Sequence, residues 1–228
     1  MPRTEQECIM GGKSKMKYSQ EIVKDIIEKS IQINTIEFLG SGNHSEAFCI
    51  NDEIVIKLPK HKKASECLKN EMHVLRKLEP PVYLEIPNVL FDGVFSVGNE
   101  EFVYFASKRL KGKKLSKTEF LKVDEQTTAL NAEIIARFLL QLHNERQVLP
   151  IKRKDFCLLH GDFSLNHILF NEENIVCGVL DFGDSRIGKP KSDFLYLLDD
   201  EDEEEFGADF GRLVLSKYQK GDKSSSFL

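Results

Sequence analysis

Apolar positions change their period several times along the chain. Ser19 precedes Ile22, Ile26 and Ile27 at helical spacing, which predicts a capped helix over about 20–31. The pattern then shortens. Residues 33–39, 46–50 and 53–58 are brief runs rich in Ile, Val and Phe, and read as strands. The turn signals between them are Gly40-Ser41-Gly42-Asn43 and Asn51-Asp52, the second a tight hairpin. A helix over about 65–78 follows, with Leu68, Met72 and Leu75 as its inner stripe, and Pro80-Pro81 ends it. Residues 88–95 and 101–110 read as two more strands. Beyond Gly112 the helical period returns over about 125–143, with Leu130, Ile134, Phe138 and Leu142 four apart. Short apolar strands over 156–160, 168–170 and 175–180 then bracket polar loops, and the tail over about 192–219 is helical in pattern. The expected fold is α+β and bilobal: an N-terminal antiparallel sheet lobe over residues 16–110 and a mainly helical C-terminal lobe over residues 111–228. Residues 1–15, polar and carrying Gly11-Gly12, are expected to be a mobile leader, with Met16 a plausible natural start.

Composition narrows the class. The 228 residues are 41% hydrophobic, enough for a packed core and against wholesale disorder. No apolar run approaches the ~18 residues of a membrane span, and the N-terminus lacks the apolar core of a secretory signal. The five cysteines are widely spaced with no CxxC pair, which argues against a zinc site or a disulfide framework. A cytoplasmic protein with reduced thiols is expected, without membrane or nucleic-acid partners; the net charge of -5 gives no basic footprint. The second half is the more acidic, largely through the seven consecutive acids Asp199 to Glu205.

Against this background a few residues carry candidate chemistry. Gly40, Ser41 and Gly42 lie between two predicted strands, where a glycine turn can bring backbone N–H groups to phosphate oxygens; a plain hairpin turn fits equally. Lys57 sits inside the apolar strand Ile54 to Leu58, so it either alternates to water or meets a charged partner, and Glu71 on the next helix is such a partner. The most specific segments are His160-Gly161-Asp162-Phe163-Ser164-Leu165-Asn166-His167 and Val179-Leu180-Asp181-Phe182-Gly183-Asp184. Each puts carboxylate or imidazole groups at the end of an apolar strand. Phosphoryl transfer needs one carboxylate to take the proton of an attacking hydroxyl and others to hold Mg²⁺ against phosphates.

With these motifs the sequence resembles the aminoglycoside phosphotransferases, which share the protein-kinase-like fold, and in particular their 2''-phosphotransferase branch. The likeness runs from about Met16 to Tyr218. It includes Asn34 to Glu37, Lys57 to His61, Leu110 to Leu115, the two loop segments above, and Asp193-Phe194-Leu195. The resemblance implies a role for each matching position. Asp162 would be the catalytic base and Asp181 a Mg²⁺ ligand. The second metal position falls five residues after the base, at His167, where this branch carries His in place of the more common Asn. Lys57 would contact the α- and β-phosphates, steadied by Glu71. His160 would support the loop, and Asp193 would tie it to the following helix. The stretch from Phe105 through Ser107 to Arg109 would be the hinge that reads the base. The acidic run, with Asp199, Asp200, Glu203 and Glu204, falls where the branch supplies contacts to a cationic acceptor; a solvated helix start is the alternative. Relative to the family the large lobe is expected to be trimmed, because only Asn144 to Leu158 join the long helix to the catalytic loop.

The implied activity moves the γ-phosphate of ATP or GTP onto a hydroxyl of an aminoglycoside, with Mg²⁺ as cofactor, in a monomeric resistance enzyme. Two alternatives stand beside it: a kinase of another small hydroxyl metabolite, and a nucleotide-binding module with little turnover. A protein-kinase role is disfavoured, because no recognisable activation segment separates Asp184 from Asp193.

Overall fold

The computed structural model describes residues 18–78, 84–199 and 205–221. The leader over 1–15, Pro80-Pro81 and most of the acidic run lie outside these described residues. In chain order the elements are α1 (Gln20–Ile27), β1 (Ile36–Ser41), β2 (Ser45–Ile50), β3 (Ile54–Pro59), α2 (Lys62–Lys77), β4 (Val89–Val97), β5 (Glu100–Lys108), α3 (Lys117–Phe120) and α4 (Glu125–Asn144). Then come β6 (Cys157–Leu159), β7 (Ile168–Phe170), β8 (Val176–Val179), β9 (Arg186–Gly188) and α5 (Ala208–Gly221), with 3₁₀ turns at Leu165–His167, Pro190–Phe194 and Tyr196–Leu198.

Strands β1 to β5 form one antiparallel sheet in the order β1-β2-β3-β5-β4. The β2–β3 turn forms where it was expected. Asn51 (φ +53°) and Asp52 (φ +60°) adopt the left-handed pair that matches the twist of a hairpin, closed by Glu53 N–H to the Ile50 carbonyl at 3.1 Å. Alternation along β5 splits its side chains between the two sheet faces. Tyr104 and Ala106 join Tyr18, Val23 and Ile27 under α1, whereas Phe105 joins Leu68, Met72 and Leu75 of α2. The sheet is thus covered by a helix on each face. Helix α2 starts earlier than its apolar stripe suggests, because His61 caps it through Nδ1, which accepts from Ala64 N–H at 3.1 Å.

In the large lobe, Asp124 caps α4 by accepting from Gln126 and Thr127 N–H, both at 3.0 Å. The buried face of α4 is Asn131, Ala132, Ile135, Ala136, Phe138, Leu139, Leu142 and His143, not the row of residues four apart expected from the sequence. Four residues turn a helix by more than one full revolution, so such a row drifts around the helix. Leu130 is accordingly exposed, while Phe138 and Leu142 point inward. Ile22 of α1 is exposed for the same reason, its place taken by Val23. The short strands pair as β6–β9 and β7–β8. Two crossings attach the sheet lobe and the segment that follows it to these hairpins. Glu85 N–H donates to the Cys177 carbonyl and Val179 N–H to the Glu85 carbonyl, both at 2.9 Å, and Lys113 and Phe170 exchange backbone bonds at 2.8 Å. Among the described residues no helix is long and apolar enough to cross a membrane, and Cys49, Cys67, Cys157 and Cys177 are free thiols.

Candidate active site

The side chains singled out at Lys57, Glu71, Asp162, His167 and Asp181 converge where the sheet meets the large-lobe loops. Lys57 projects from β3, opposite Phe105 in register, with its amine 5.9 Å above that ring. Its Nζ is 2.6 Å from Glu71 Oε1 and 3.3 Å from Asp181 Oδ1. Burial works against the lysine's charge, but the two carboxylates outweigh it and hold the pKa above the ordinary lysine value. Lys57 in turn holds Asp181 well below the usual carboxylate range. Burial pushes Glu71 upward, opposed by Lys57 and by the Phe182 N–H. Water therefore is not the partner of this mid-strand lysine.

On the opposite wall, His160, Gly161 and Asp162 follow β6 directly. Gly161 has φ +91°, and a Cβ there would lie 2.1 Å from the Asp184 carbonyl oxygen, so only glycine admits this approach of two loops. Asp193, itself buried, accepts the N–H groups of His160 and Gly161 at 2.9 Å each and lies 3.1 Å from His143 Nε2; Tyr218 OH lies 2.8 Å from the other nitrogen of that ring. Burial would raise the Asp193 pKa, but His143 and the backbone donors hold it below its ordinary value. His160 is buried and its pKa is lowered by that burial. Its Nε2 must donate to the Leu180 carbonyl at 2.9 Å, which leaves Nδ1 to accept from Asp162 N–H at 3.4 Å. A neutral ring thus joins the loop of Asp162 to the strand end that carries Asp181.

His167 lies at the end of the turn after Asp162. Its Nδ1 is 2.8 Å from the Asp162 carbonyl, an acceptor, so Nδ1 carries the proton. In the neutral ring the Nε2 lone pair then faces Asp181 Oδ2 at 3.7 Å. Two acceptors face each other there, an arrangement suited to a cation between them, and the carboxylate is the usual protein ligand of Mg²⁺. The Asp162 carboxylate lies 3.7 Å from His167 Nδ1. Side-chain exposures of 35% for Asp162 and 46% for Asp181 leave both open to solvent and therefore to ligands. Asp181 has φ +63°, a conformation that a residue with a Cβ keeps only when its surroundings enforce it.

The β1–β2 turn lies on the same side of the sheet lobe as Lys60, whose amine donates to the Gly42 carbonyl. A Cβ on Gly40 or Gly42 would meet nothing within 4 Å, and neither residue has a positive φ. The fold itself does not require glycine at either position; what the glycines leave is room. Ser41 Oγ is buried with no hydrogen-bond partner among the described residues, a polar atom placed beside that room.

Several expectations meet a different placement. Phe105 and Ser107 lie inside β5, buried and paired with β3, so the chain leaves the strand only at Arg109 rather than opening a hinge at Phe105. Asp199 is exposed at the end of the Tyr196–Leu198 turn, while Asp200, Glu203 and Glu204 lie outside the described residues. Of the described members of the run, Glu205 is buried, and α5 begins at Ala208. Near Asp162 stands Tyr196, which the sequence reading passed over. Its phenol pKa is raised by Asp162 foremost, then by burial and by Glu205 and Asp184. A second acidic group, Glu37, Cys49 and Asp52, clusters at the far edge of the sheet, where the Arg109 guanidinium lies 3.7, 3.3 and 3.9 Å from them and takes the place a cation would occupy.

A family profile described as the phosphotransferase enzyme family matches residues 144–223. Among solved structures, the aminoglycoside phosphotransferase APH(2'')-IIa in its ternary complex with streptomycin and ATP is similar at 27% identity with a TM-score of 0.74; the match covers 90% of this chain and 83% of that one. APH(2'')-Ib with bound ADP is similar at 26% identity and a TM-score of 0.75, covering 89% and 82%. The macrolide 2'-phosphotransferase MphH from Brachybacterium faecium shares the fold at 14% identity and a TM-score of 0.64, covering 90% and 84%.

Proposed function

We propose that the chain is an aminoglycoside phosphotransferase, with likeness to the 2'' branch, that transfers the γ-phosphoryl group of ATP or GTP to a hydroxyl of an aminoglycoside. The observation that carries the proposal is the meeting of Lys57, Asp181, His167 and Asp162 in one solvent-open site, from positions spread over more than half of the chain.

Each residue then has a task. Residues 16–110 act as the nucleotide lobe. Gly40, Ser41 and Gly42 leave space for the phosphates, and Lys57, oriented by Glu71, neutralises their charge. Phe105 and Ser107 back the site from inside β5, and the segment from Arg109 onward links to the catalytic lobe over residues 111–228. Asp181 and His167 would hold Mg²⁺, which when bound would neutralise charge on the phosphates. Asp162 accepts the proton of the acceptor hydroxyl as its oxygen bonds to the γ-phosphorus. The bond from that phosphorus to the β,γ-bridging oxygen breaks, leaving a phosphate ester and a nucleoside diphosphate. His160 and Asp193 keep Asp162 in place.

The acceptor side is acidic. Asp162, Asp184 and Glu205 surround Tyr196, and Asp199 begins the run that includes Asp200, Glu203 and Glu204. Such a field favours a polycationic acceptor, and the similar APH(2'')-IIa has been solved with streptomycin and with gentamicin. The test is nucleoside diphosphate release with ATP and with GTP across a panel of aminoglycosides, with the product weighed by mass spectrometry. Antibiotic-dependent release and a phosphate-sized mass gain are expected. No release with any member of the panel would remove the aminoglycoside from the reading.

A further inference from the structure

Helix α2 reaches the large lobe through two neighbouring side chains, only one of which has a task so far. Glu71 takes the Lys57 amine and the Phe182 N–H. Asn70, the residue before it, spends both hydrogens of its side-chain amide on the same loop: Nδ2 donates to the Gly183 carbonyl at 3.1 Å and to the Ser185 carbonyl at 2.9 Å. These acceptors lie two and four residues beyond Asp181. The two contacts are complementary, since a carboxylate takes an N–H of the loop while an amide supplies N–H to its carbonyls. An aspartate at position 70 would offer no donor, and an aliphatic side chain would leave both carbonyls without one.

The loop needs such a hold. Asp181 has φ +63°, a left-handed backbone conformation that a residue with a Cβ adopts only where its surroundings enforce it. Downstream the loop is closed by Ser185 N–H to the Phe182 carbonyl at 3.1 Å, and Ser185 Oγ reaches back to the His160 carbonyl at 3.3 Å. All of these bonds except those to Asn70 and Glu71 stay within the large lobe. Asn70 therefore couples the position of α2, and with it of Lys57, to the backbone that aims Asp181.

We propose that Asn70 is a positioning residue of the phosphotransfer site: through its amide, α2 holds the loop 181–185 in the conformation in which Asp181 faces both Lys57 and His167. The inference rests on the reading of Asp181 as a metal carboxylate. Asn70 touches neither nucleotide nor acceptor in this role; its effect passes through Asp181.

The test uses the full chain with Asn70→Ala and Asn70→Asp, and with Asn70→Ser as a milder loss should the first two not fold. Hydrogen exchange of the ligand-free protein reads the hold directly. Amides of residues 182–185 are expected to exchange at least about tenfold faster in the variants, with exchange in β1 to β3 unchanged. Calorimetry with a non-hydrolysable ATP analogue at graded Mg²⁺ reads the consequence. The Mg²⁺ concentration giving half-maximal binding is expected to rise roughly 10- to 100-fold, the usual cost of losing an outer-shell partner. Metal-free nucleotide affinity should stay the same, and Asn70→Gln, which keeps an amide, should recover part of the loss. Unchanged exchange in the loop would overturn the proposal. Faster exchange with an unchanged Mg²⁺ requirement would also overturn it, reducing Asn70 to a structural tie. A wild-type protein with no Mg²⁺-dependent nucleotide binding would instead overturn the function proposed above and the positioning role with it, while the exchange measurement would still tell whether Asn70 holds the loop.

Discussion

On the sheet-lobe wall of the site, Lys57 and Glu71 project from a six-residue strand and a 16-residue helix, each part of a regular hydrogen-bonded element packed on an apolar core. On the facing wall, Asp162, His167 and Asp181 sit in turns between strands of three and four residues. Strands that short position little by themselves. Their loops are held instead by buried polar cross-links: Asp193 on two backbone amides, His160 on the Leu180 carbonyl, Asn70 on two carbonyls. The difference teaches where each wall is vulnerable. One depends on an ion pair set into periodic structure. The other depends on satisfied buried polar groups, whose loss costs more than their presence gains.

Substitution can break that comparison wall by wall. The largest effect is expected from Asp162→Asn, which keeps the shape of the loop and removes the carboxylate proposed as the base. Turnover should fall roughly 1,000-fold while nucleotide affinity, measured by calorimetry, stays within about twofold. Retained wild-type turnover would refute the assignment. On the sheet-lobe wall, Glu71→Gln leaves the Lys57 amine with Asp181 as its remaining carboxylate partner. We expect a loss of about 4 kcal/mol in denaturant unfolding, as for other broken buried pairs, and a raised KM for nucleotide. An unchanged KM would show that Lys57 is oriented without Glu71. On the loop wall, Asp193→Ala strips the acceptor from two buried N–H groups and from His143. A loss of about 3 kcal/mol is expected, with kcat lowered and metal-free nucleotide affinity kept. If affinity fell as much as kcat, the two walls would not be separable in this way.

The smallest expected effect concerns pH. His160 has its pKa lowered in the folded protein from an ordinary value of 6.5. Below pH 6.5 the unfolded chain takes up a proton that the folded chain refuses. The stability carried by the neutral ring is therefore complete above pH 6.5 and declines as the pH drops toward the lowered folded value. Asp193, lowered from 3.8, adds its own loss only below that value. The thermal midpoint should drop by a few degrees, on the order of 1 kcal/mol, between pH 7.5 and 5.5. His160→Gln, which cannot take up the proton, should be less stable at pH 7.5 but lose less on acidification. Equal pH slopes for the two proteins would remove His160 as the source.

Legibility from sequence follows the same division. The five strands of the main sheet and helix α2 emerge within a few residues of their observed ends, because alternation and helical period are imposed locally by burial of one face. Strand β9 was missed: Arg186-Ile187-Gly188 holds a single apolar side chain, and its strand character comes from pairing with β6 far away in sequence. The face of α4 was misjudged because a four-residue spacing imitates a stripe while drifting off it. Most of the acidic run lies outside the described residues; its last member, Glu205, is buried, and α5 begins at Ala208. Lys57 stood out in the sequence as a charge inside a strand, Glu71 as its neighbour on the next helix, and Asp162, His167 and Asp181 as groups beside short strands, whereas Tyr196 did not. Nor did Asn70, since an amide next to a glutamate on a polar helix looks like any solvated surface residue until the large-lobe loop is seen against it.

Residue order alone thus determined the alternating strands, the helix that carries Glu71, and the two acid-bearing loops with their family resemblance. All of these are recorded within windows of ten or twenty residues, where the burial period and loop chemistry are written directly. Only the folded chain decided that Lys57 lies 3.3 Å from Asp181, 124 positions away, that His167 turns its Nε2 toward that carboxylate, and that Asn70 grips the loop between the lobes. Those contacts join elements far apart along the chain, and one apolar core runs from α2 to the large-lobe loops. The distances they set depend on packing summed over the whole core, which no local stretch of sequence contains.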